Sequence, residues 1–216
     1  MISEFCVNSF SQSRGFPMKK FSIGLLLSCA IALPAAAALK PGDKAADFTA
    51  MASLAGKDFT FSLKKALKKG PVVVYFYPSA YTGGCNVEAH SFADEKEKFD
   101  AAGATIIGVS ADSVARLNDF SSDPSYCAGK FPVASDADHK IANAFDLKVM
   151  AGKPGMKDTR GVDIDHDFTE RTTFIITPDH KIVATLSSAD DKITPVDHAE
   201  KSLEIVQQLA VKKPHG

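Results

Sequence analysis

Past residue 38 the chain sets short apolar runs and stretches of helical period one after another. Val72-Val73-Val74-Tyr75-Phe76-Tyr77 is apolar throughout, the pattern of a strand buried on both faces. Thr105-Ile106-Ile107-Gly108-Val109-Ser110 is a second such run. Between them a helix is predicted from about Gly84 to Ala102, with Phe92 and Phe99 on one face and a stop at Gly103. Residues 72–110 therefore form one βαβ unit with a right-handed crossover. Ahead of it, 47–50 and 58–62 predict a hairpin around Gly56, and 63–69 a short basic helix ending at Gly70. Behind it come a helix at 113–121, a short strand at 132–134 and a helix at 139–145. A hairpin at 172–177 and 181–186 turns around Pro178-Asp179, and a helix at 197–209 closes the chain. Lys148 to Glu170 shows no period and is rich in Gly, Asp and Lys, which predicts a long loop running into Arg171, at the rim of an active site. The class is α/β, one domain over 39–216.

The start of the chain changes the picture. Lys19-Lys20, the apolar segment Phe21 to Leu33 and Ala35-Ala36-Ala37-Ala38 have the three parts of a secretory signal over 18–38, which predicts a periplasmic protein. The apolar segment is too short to span a bilayer, which takes about 20 residues. Leu26-Leu27-Ser28-Cys29 is a poorer fit to a lipoprotein box. Residues 1–17 precede the natural start of that signal. The full chain of 216 residues carries a net charge of −1. No Lys/Arg block in it argues for nucleic acid or anionic lipid. Without the leader, Cys85 and Cys127 are the cysteines left. In an oxidising compartment such a pair is a structural disulfide or a redox couple.

The position of Cys85 favours the redox couple. The 72–77 strand ends at Pro78, and after a short turn the cysteine falls in the first turn of the next helix. Unpaired backbone N–H groups and the positive end of the helix dipole there favour thiolate over thiol. Pro78-x-x-x-Thr82-x-x-Cys85, with Arg171 opening the late run Arg171-Thr172-Thr173-Phe174-Ile175-Ile176, resembles the active-site signature of the peroxiredoxins. These are the thiol peroxidases of the alkyl hydroperoxide reductase and thiol-specific antioxidant superfamily. The longer string is most similar to the Q-type branch, the bacterioferritin comigratory proteins, and the likeness runs from about Lys40 to Leu209. It implies a thioredoxin-like fold with a mixed, mostly parallel sheet flanked by helices. It also implies peroxide substrates, a thioredoxin-fold thiol reductant and no cofactor, in a monomer or homodimer.

A thiolate attacking one peroxide oxygen expels the other as an anion, so the site needs donors aimed at developing negative charge. Cys85 is the candidate nucleophile, passing through a sulfenic acid. Arg171, always charged, can stabilise both sulfur and oxygen anions, the role the family gives its arginine. Thr82 can bridge thiolate and peroxide, or cap the helix by accepting the backbone N–H of Cys85. Backbone N–H groups of Gly84 and Cys85 would complete an oxyanion site. By the resemblance, Pro78 shields the sulfur from water.

The chain also departs from the branch. Gly83 and Asn86 stand where Pro and Thr are usual, and His90 holds the position of the resolving cysteine in many Q-type members. Cys127 lies in a region that houses that cysteine in some relatives. A Cys85–Cys127 disulfide and a one-cysteine cycle both remain open. Glu88 matches a residue common in the branch, and His90 is either an exposed helical histidine or a tuner of Cys85. Two other readings compete. A thioredoxin-type thiol–disulfide oxidoreductase wants Cys-x-x-Cys, and Thr82 occupies its first position. A copper or zinc carrier would use Cys85, Cys127 and a histidine. Asp163-Ile164-Asp165-His166-Asp167 lacks the Gly and Glu of a calcium loop and is expected to be a solvated acidic turn.

Overall fold

A computed structural model describes residues 37–212. The expected leader lies, up to residue 36, outside the described residues. The main sheet has seven strands: β1 (Thr49–Leu54), β2 (Lys57–Ser62), β3 (Val72–Phe76), β4 (Thr105–Ser110), β5 (Val133–Ser135), β8 (Thr172–Ile176) and β9 (Ile182–Ser187), in the order β2-β1-β5-β4-β3-β8-β9. A separate ribbon pairs β6 (Val149–Met150) with β7 (Phe168–Thr169). The helices are α1 (Leu63–Leu67), α2 (Gly83–Asp94), α3 (Lys96–Ala101), α4 (Val114–Ser122), α5 (Lys140–Ala144) and α6 (Pro195–Val211).

Every residue of β3 is buried, and its alternation divides the interior. Val73, Tyr75 and Tyr77 join the core built with α2, α3, α4 and α6, whereas Val72, Val74 and Phe76 face the core that holds α1 and α5. Tyr75 fits because Gly108, on the neighbouring strand, has no side chain: a Cβ there would fall 2.6 Å from the Tyr75 ring. The result is the thioredoxin-like α/β arrangement expected from the element order. The sheet is mixed, but parallel pairing is confined to β3–β4 and β4–β5. The other contacts are antiparallel: β1–β2 and β8–β9 are hairpins, whose short connections can only return a strand beside its predecessor, and β1–β5 and β3–β8 join segments distant in the chain.

Two expectations change in detail. The long helix divides at Glu95, where φ −88° and ψ 0° bend the chain between α2 and α3 and leave Phe92 and Phe99 in contact, their ring centroids 5.8 Å apart. No proline or glycine marks the bend in the sequence. The 148–170 loop carries the β6–β7 ribbon, whose two-residue strands are too short for an alternating pattern to show. Among the described residues no helix is long and apolar enough to cross a membrane.

Candidate active site

Pro78 ends β3, the chain reverses through Tyr81 at φ +61°, and Thr82 takes the extended dihedrals of an N-cap before α2. The Thr82 carbonyl accepts the first helical bond from Asn86 N–H, at 2.8 Å. Its hydroxyl, however, does not cap the helix as expected. It donates to the Ser79 carbonyl at 2.8 Å, because the tight turn brings that acceptor nearer than the helix N–H groups. Gly84 and Cys85 lie in the first turn, where no preceding helical carbonyl takes their N–H groups.

Arg171, just ahead of β8, reaches across from a strand paired directly with β3. Its Nη2 donates to Cys85 Sγ at 3.2 Å, and its Nη1 pairs with the Glu88 carboxylate one turn further along α2. Glycine at position 84 permits this approach, since a Cβ there would lie 3.2 Å from Arg171 Nη2. Glu88 has no solvent exposure, and its Oε1 has no hydrogen-bond partner among the described residues. The nearest basic nitrogen on that side is His198 Nδ1 of α6, at 3.8 Å. His198 is itself buried between Thr173 Oγ1 at 2.8 Å and Ser188 Oγ at 2.9 Å.

The electrostatics follow from burial. Burial pushes the Cys85 thiol up; Arg171 pulls it down, Glu88 pushes it up again, and the Thr82 hydroxyl and Ser79 backbone lower it. The net is a pKa above the ordinary thiol value, not below it as the helix position alone led us to expect. That expectation counted the dipole and the cation but not full enclosure or a second buried acid. Burial also lifts Glu88, against Arg171, to about 8. His198 falls to about 4 through burial, then through repulsion by Arg171, so it is neutral at physiological pH. One guanidinium thus faces two acids whose titrations are coupled.

A second polar cluster fastens the reactive loop from the other side. Buried Asp112 accepts Ala80 N–H at 2.7 Å and Ser79 O–H at 3.0 Å, and pairs with Arg116 and with His166 Nε2, each at 2.9 Å. Burial opposes the Asp112 charge, but His166, Ala80 and Ser110 outweigh it and hold its pKa below the usual range. Asp158 ties Arg116 and Arg160 together at 2.8 Å each, Arg160 stacks on Tyr81, and Thr159 donates to the Tyr81 carbonyl. The expected solvated acidic turn is therefore corrected at His166, which is bound inward, while Asp163, Asp165 and Asp167 are exposed. Neither this cluster nor His198 has a local sequence signature, since each assembles residues far apart in the chain.

Cys127 is fully buried beyond α4, in the same core as Cys85, next to Tyr126, which stacks on Phe120. Burial and then Asp123 raise its pKa well above the ordinary value. Both thiols are free. His90 is exposed and pairs with Asp94 at 3.2 Å, away from Cys85 on the solvent side of α2. Among the described residues, no group of three or more His, Cys, Asp or Glu is placed to hold a metal ion.

Residues 41–185 match the AhpC/TSA family, and the chain belongs to it. Peroxiredoxin Bcp of Xanthomonas campestris is 34% identical over 142 residues, covering 64% of this chain and 78% of the relative. The crystal structure of peroxidoxin BcpB from Mycobacterium tuberculosis is similar with a TM-score of 0.65 and 29% identity, over 79% of this chain and 98% of that one. The bacterioferritin comigratory protein of Xanthomonas campestris, solved as a trapped intermediate/ligand complex bearing on its alkyl peroxide reduction, has a TM-score of 0.57 and 30% identity, over 74% and 91% of the two chains. The protein is a thiol peroxidase: its substrates are peroxides and its electrons come from a thiol reductant.

Proposed function

We propose that Cys85 is the peroxidatic sulfur and that Arg171 stabilises the charge that moves from it to the leaving oxygen. The observation that carries this reading is the 3.2 Å approach of Arg171 Nη2 to Cys85 Sγ across 86 positions of sequence. Glu88, its pKa raised to about 8, already holds a proton near neutrality, so no buried anion beside Arg171 opposes ionisation of Cys85, whose proton passes to solvent. The thiolate attacks the terminal oxygen of the peroxide, the O–O bond breaks, and Cys85 becomes a sulfenic acid. The other oxygen leaves as alkoxide or hydroxide and takes a proton. Thr82 and the N–H groups of Gly84 and Cys85 line the path of that charge, and Pro78 covers the sulfur from water.

The cycle closes when the Cys127 thiol attacks the sulfenic sulfur, releasing water and forming a Cys85–Cys127 disulfide that a thioredoxin-fold dithiol reduces. This needs local opening, because both sulfurs are enclosed. That enclosure also favours a second reading, in which an external thiol meets the sulfenic acid directly. The signal-like segment over 18–38 supports a periplasmic setting for this chemistry, with electrons arriving through a thiol relay. One experiment tests the cycle: non-reducing mass spectrometry after a single equivalent of peroxide. A Cys85–Cys127 link is expected; sulfenic or sulfinic Cys85 alone selects the external-thiol route, and an unmodified Cys85 overturns the assignment.

A further inference from the structure

The 148–170 loop holds the reactive turn from two sides, and on one of them the hold depends on a proton. On the first side Thr159 donates its N–H and O–H to the Tyr81 carbonyl, at 2.9 and 2.8 Å. The Arg160 guanidinium lies over the Tyr81 ring, 3.2 Å from its centroid. On the second side the His166 ring enters against Asp112, which itself accepts Ala80 N–H and Ser79 O–H. The Ser79 carbonyl in turn accepts the Thr82 hydroxyl. A run of hydrogen bonds thus leads from His166 through Asp112 to the turn that sets Cys85 in place. Neither His166 nor Asp112 takes part in the chemistry described for the sulfur.

Both ring nitrogens of His166 face acceptors. Nδ1 is 2.8 Å from the Asp167 carbonyl, which can only accept, and Nε2 is 2.9 Å from Asp112 Oδ1. Asp112 is buried with its pKa below the usual carboxylate range, so it too is an acceptor. A neutral imidazole has one N–H and would set a lone pair against one of these oxygens; the imidazolium, with two, satisfies both. The geometry therefore fits the charged ring. Arg116 on α4 shares Asp112 Oδ1 with it, and Lys153, Asp165 and Asp167 line an adjoining cleft of about 220 Å³. Burial and Arg116 disfavour the charge, but Asp112 and the Asp167 carbonyl outweigh them and lift the pKa above the ordinary histidine value. The side chain stays 13% exposed, so the ring exchanges its proton with solvent while the fold is closed.

We propose that protonated His166 is a positioning residue that clamps the 79–82 turn closed around Cys85, and that loss of its proton frees the turn to open for the reducing thiol. The consequence for the cycle rests on the peroxidase reading above; the clamp itself does not. Once the ring is neutral, either the Asp167 carbonyl or Asp112 loses its N–H. Ser79 Oγ, 3.3 Å from Nε2, can then turn its O–H from Asp112 to the ring, which takes a second donor from the carboxylate. Thr159 and Arg160 do not titrate in this range, so their hold on Tyr81 is constant. The clamp is complete below about pH 6.5 and is lost as pH rises through the raised value. Attack on peroxide needs the turn folded, because Arg171 meets Cys85 there. A thiol reaches the enclosed, oxidised sulfur only when the turn opens. Mild acid thus slows the reducing half of the cycle beyond what the reductant's own ionisation does.

The test is hydrogen–deuterium exchange of the reduced protein from about pH 5.5 to about pH 8.5, with protection taken relative to the intrinsic exchange rate at each pH. Peptides spanning 79–86 are expected to lose protection about tenfold or more over that range, the worth of one charge-assisted hydrogen bond, while those of β3 and β4 keep theirs. His166→Gln, uncharged throughout, should show the low protection at every pH. His166→Lys, charged throughout, should show the high one. A second readout is the reduction of peroxide-oxidised Cys85 by dithiothreitol. The ratio of the unaltered rate to that of His166→Gln cancels the reductant's ionisation, and it should climb from about one tenth in mild acid towards one. Protection of 79–86 that ignores pH in the unaltered protein overturns the proposal. So does a pH dependence that the Gln variant retains, or one that β3 shares, which would make the histidine merely structural. Should exchange follow the expected course while no peroxide oxidises Cys85, the clamp stands and the peroxidase reading fails.

Discussion

The two cysteines of the folded domain share one core and one degree of burial, yet they sit in opposite electrostatic settings. Cys127 has an anion, Asp123, as its charged neighbour, and nothing offsets the cost of ionising its sulfur. Cys85 is equally enclosed, but a guanidinium donates to it directly and the first turn of α2 surrounds it with free N–H groups. Enclosure alone makes a thiol inert. Enclosure with a fixed cation makes a thiol whose reactivity depends on where the neighbouring protons sit. The pair Cys85 and Glu88 around Arg171 is such an arrangement, because protonating the carboxyl removes the anion that raises the sulfur's pKa.

The comparison breaks most sharply by exchanging sulfur for oxygen. Cys85→Ser is expected to abolish peroxide consumption, whereas Cys127→Ser should leave the first oxidation of Cys85 within a few-fold of its original rate and alter only recycling. Quench-flow kinetics with hydrogen peroxide separates the two steps. Next in size is Arg171→Ala, expected to slow Cys85 oxidation about 10²- to 10³-fold, as loss of one donor to a developing anion does elsewhere. If the second-order rate were unchanged, the difference between the two thiols would have some other origin.

Glu88→Gln sharpens the comparison through pH. The folded-state pKa of Glu88 is raised, so its contribution to stability is fully present below the unfolded carboxyl value near 4.5 and is lost as pH rises through about 8. Denaturant midpoints of the unaltered protein should therefore decline across that window more steeply than those of the Gln variant. Equal slopes would show that Glu88 does not hold a proton in the fold. The smallest effect is expected at His166, whose pKa is raised: burial opposes its charge, and Asp112 more than compensates. Its contribution is present below about 6.5 and fades as pH rises through the raised value. The difference in melting temperature between the unaltered protein and His166→Gln should accordingly be largest in mild acid and shrink above neutrality.

How much of this was legible in the sequence depends on how local each feature is. The β3 run, the βαβ unit and the β8–β9 hairpin carry their own patterns of period and turn residues, and they stand where the pattern puts them. Cys85 is marked by the strand-to-helix step that carries it, and Arg171 by the apolar run it opens. The β6–β7 ribbon was not legible, because two residues per strand give no alternation. Nor were His198, with Thr173 and Glu88, and Asp112, with Ser79 and His166, because these partners are distant in the chain and meet only after the sheet forms. The pKa of Cys85 was misjudged for the same reason: a helix start can be read from a string, but the enclosure that opposes it is a property of the assembled core.

The most direct test of the central claim is the order in which the two thiols react. Reduced protein would receive less than one equivalent of hydrogen peroxide for milliseconds, be quenched with an alkylating agent in denaturant, and be read cysteine by cysteine by mass spectrometry. The account expects Cys85 to be oxidised while Cys127 is still alkylated in full. Oxidation of Cys127 before Cys85, or of both at one rate, would contradict it.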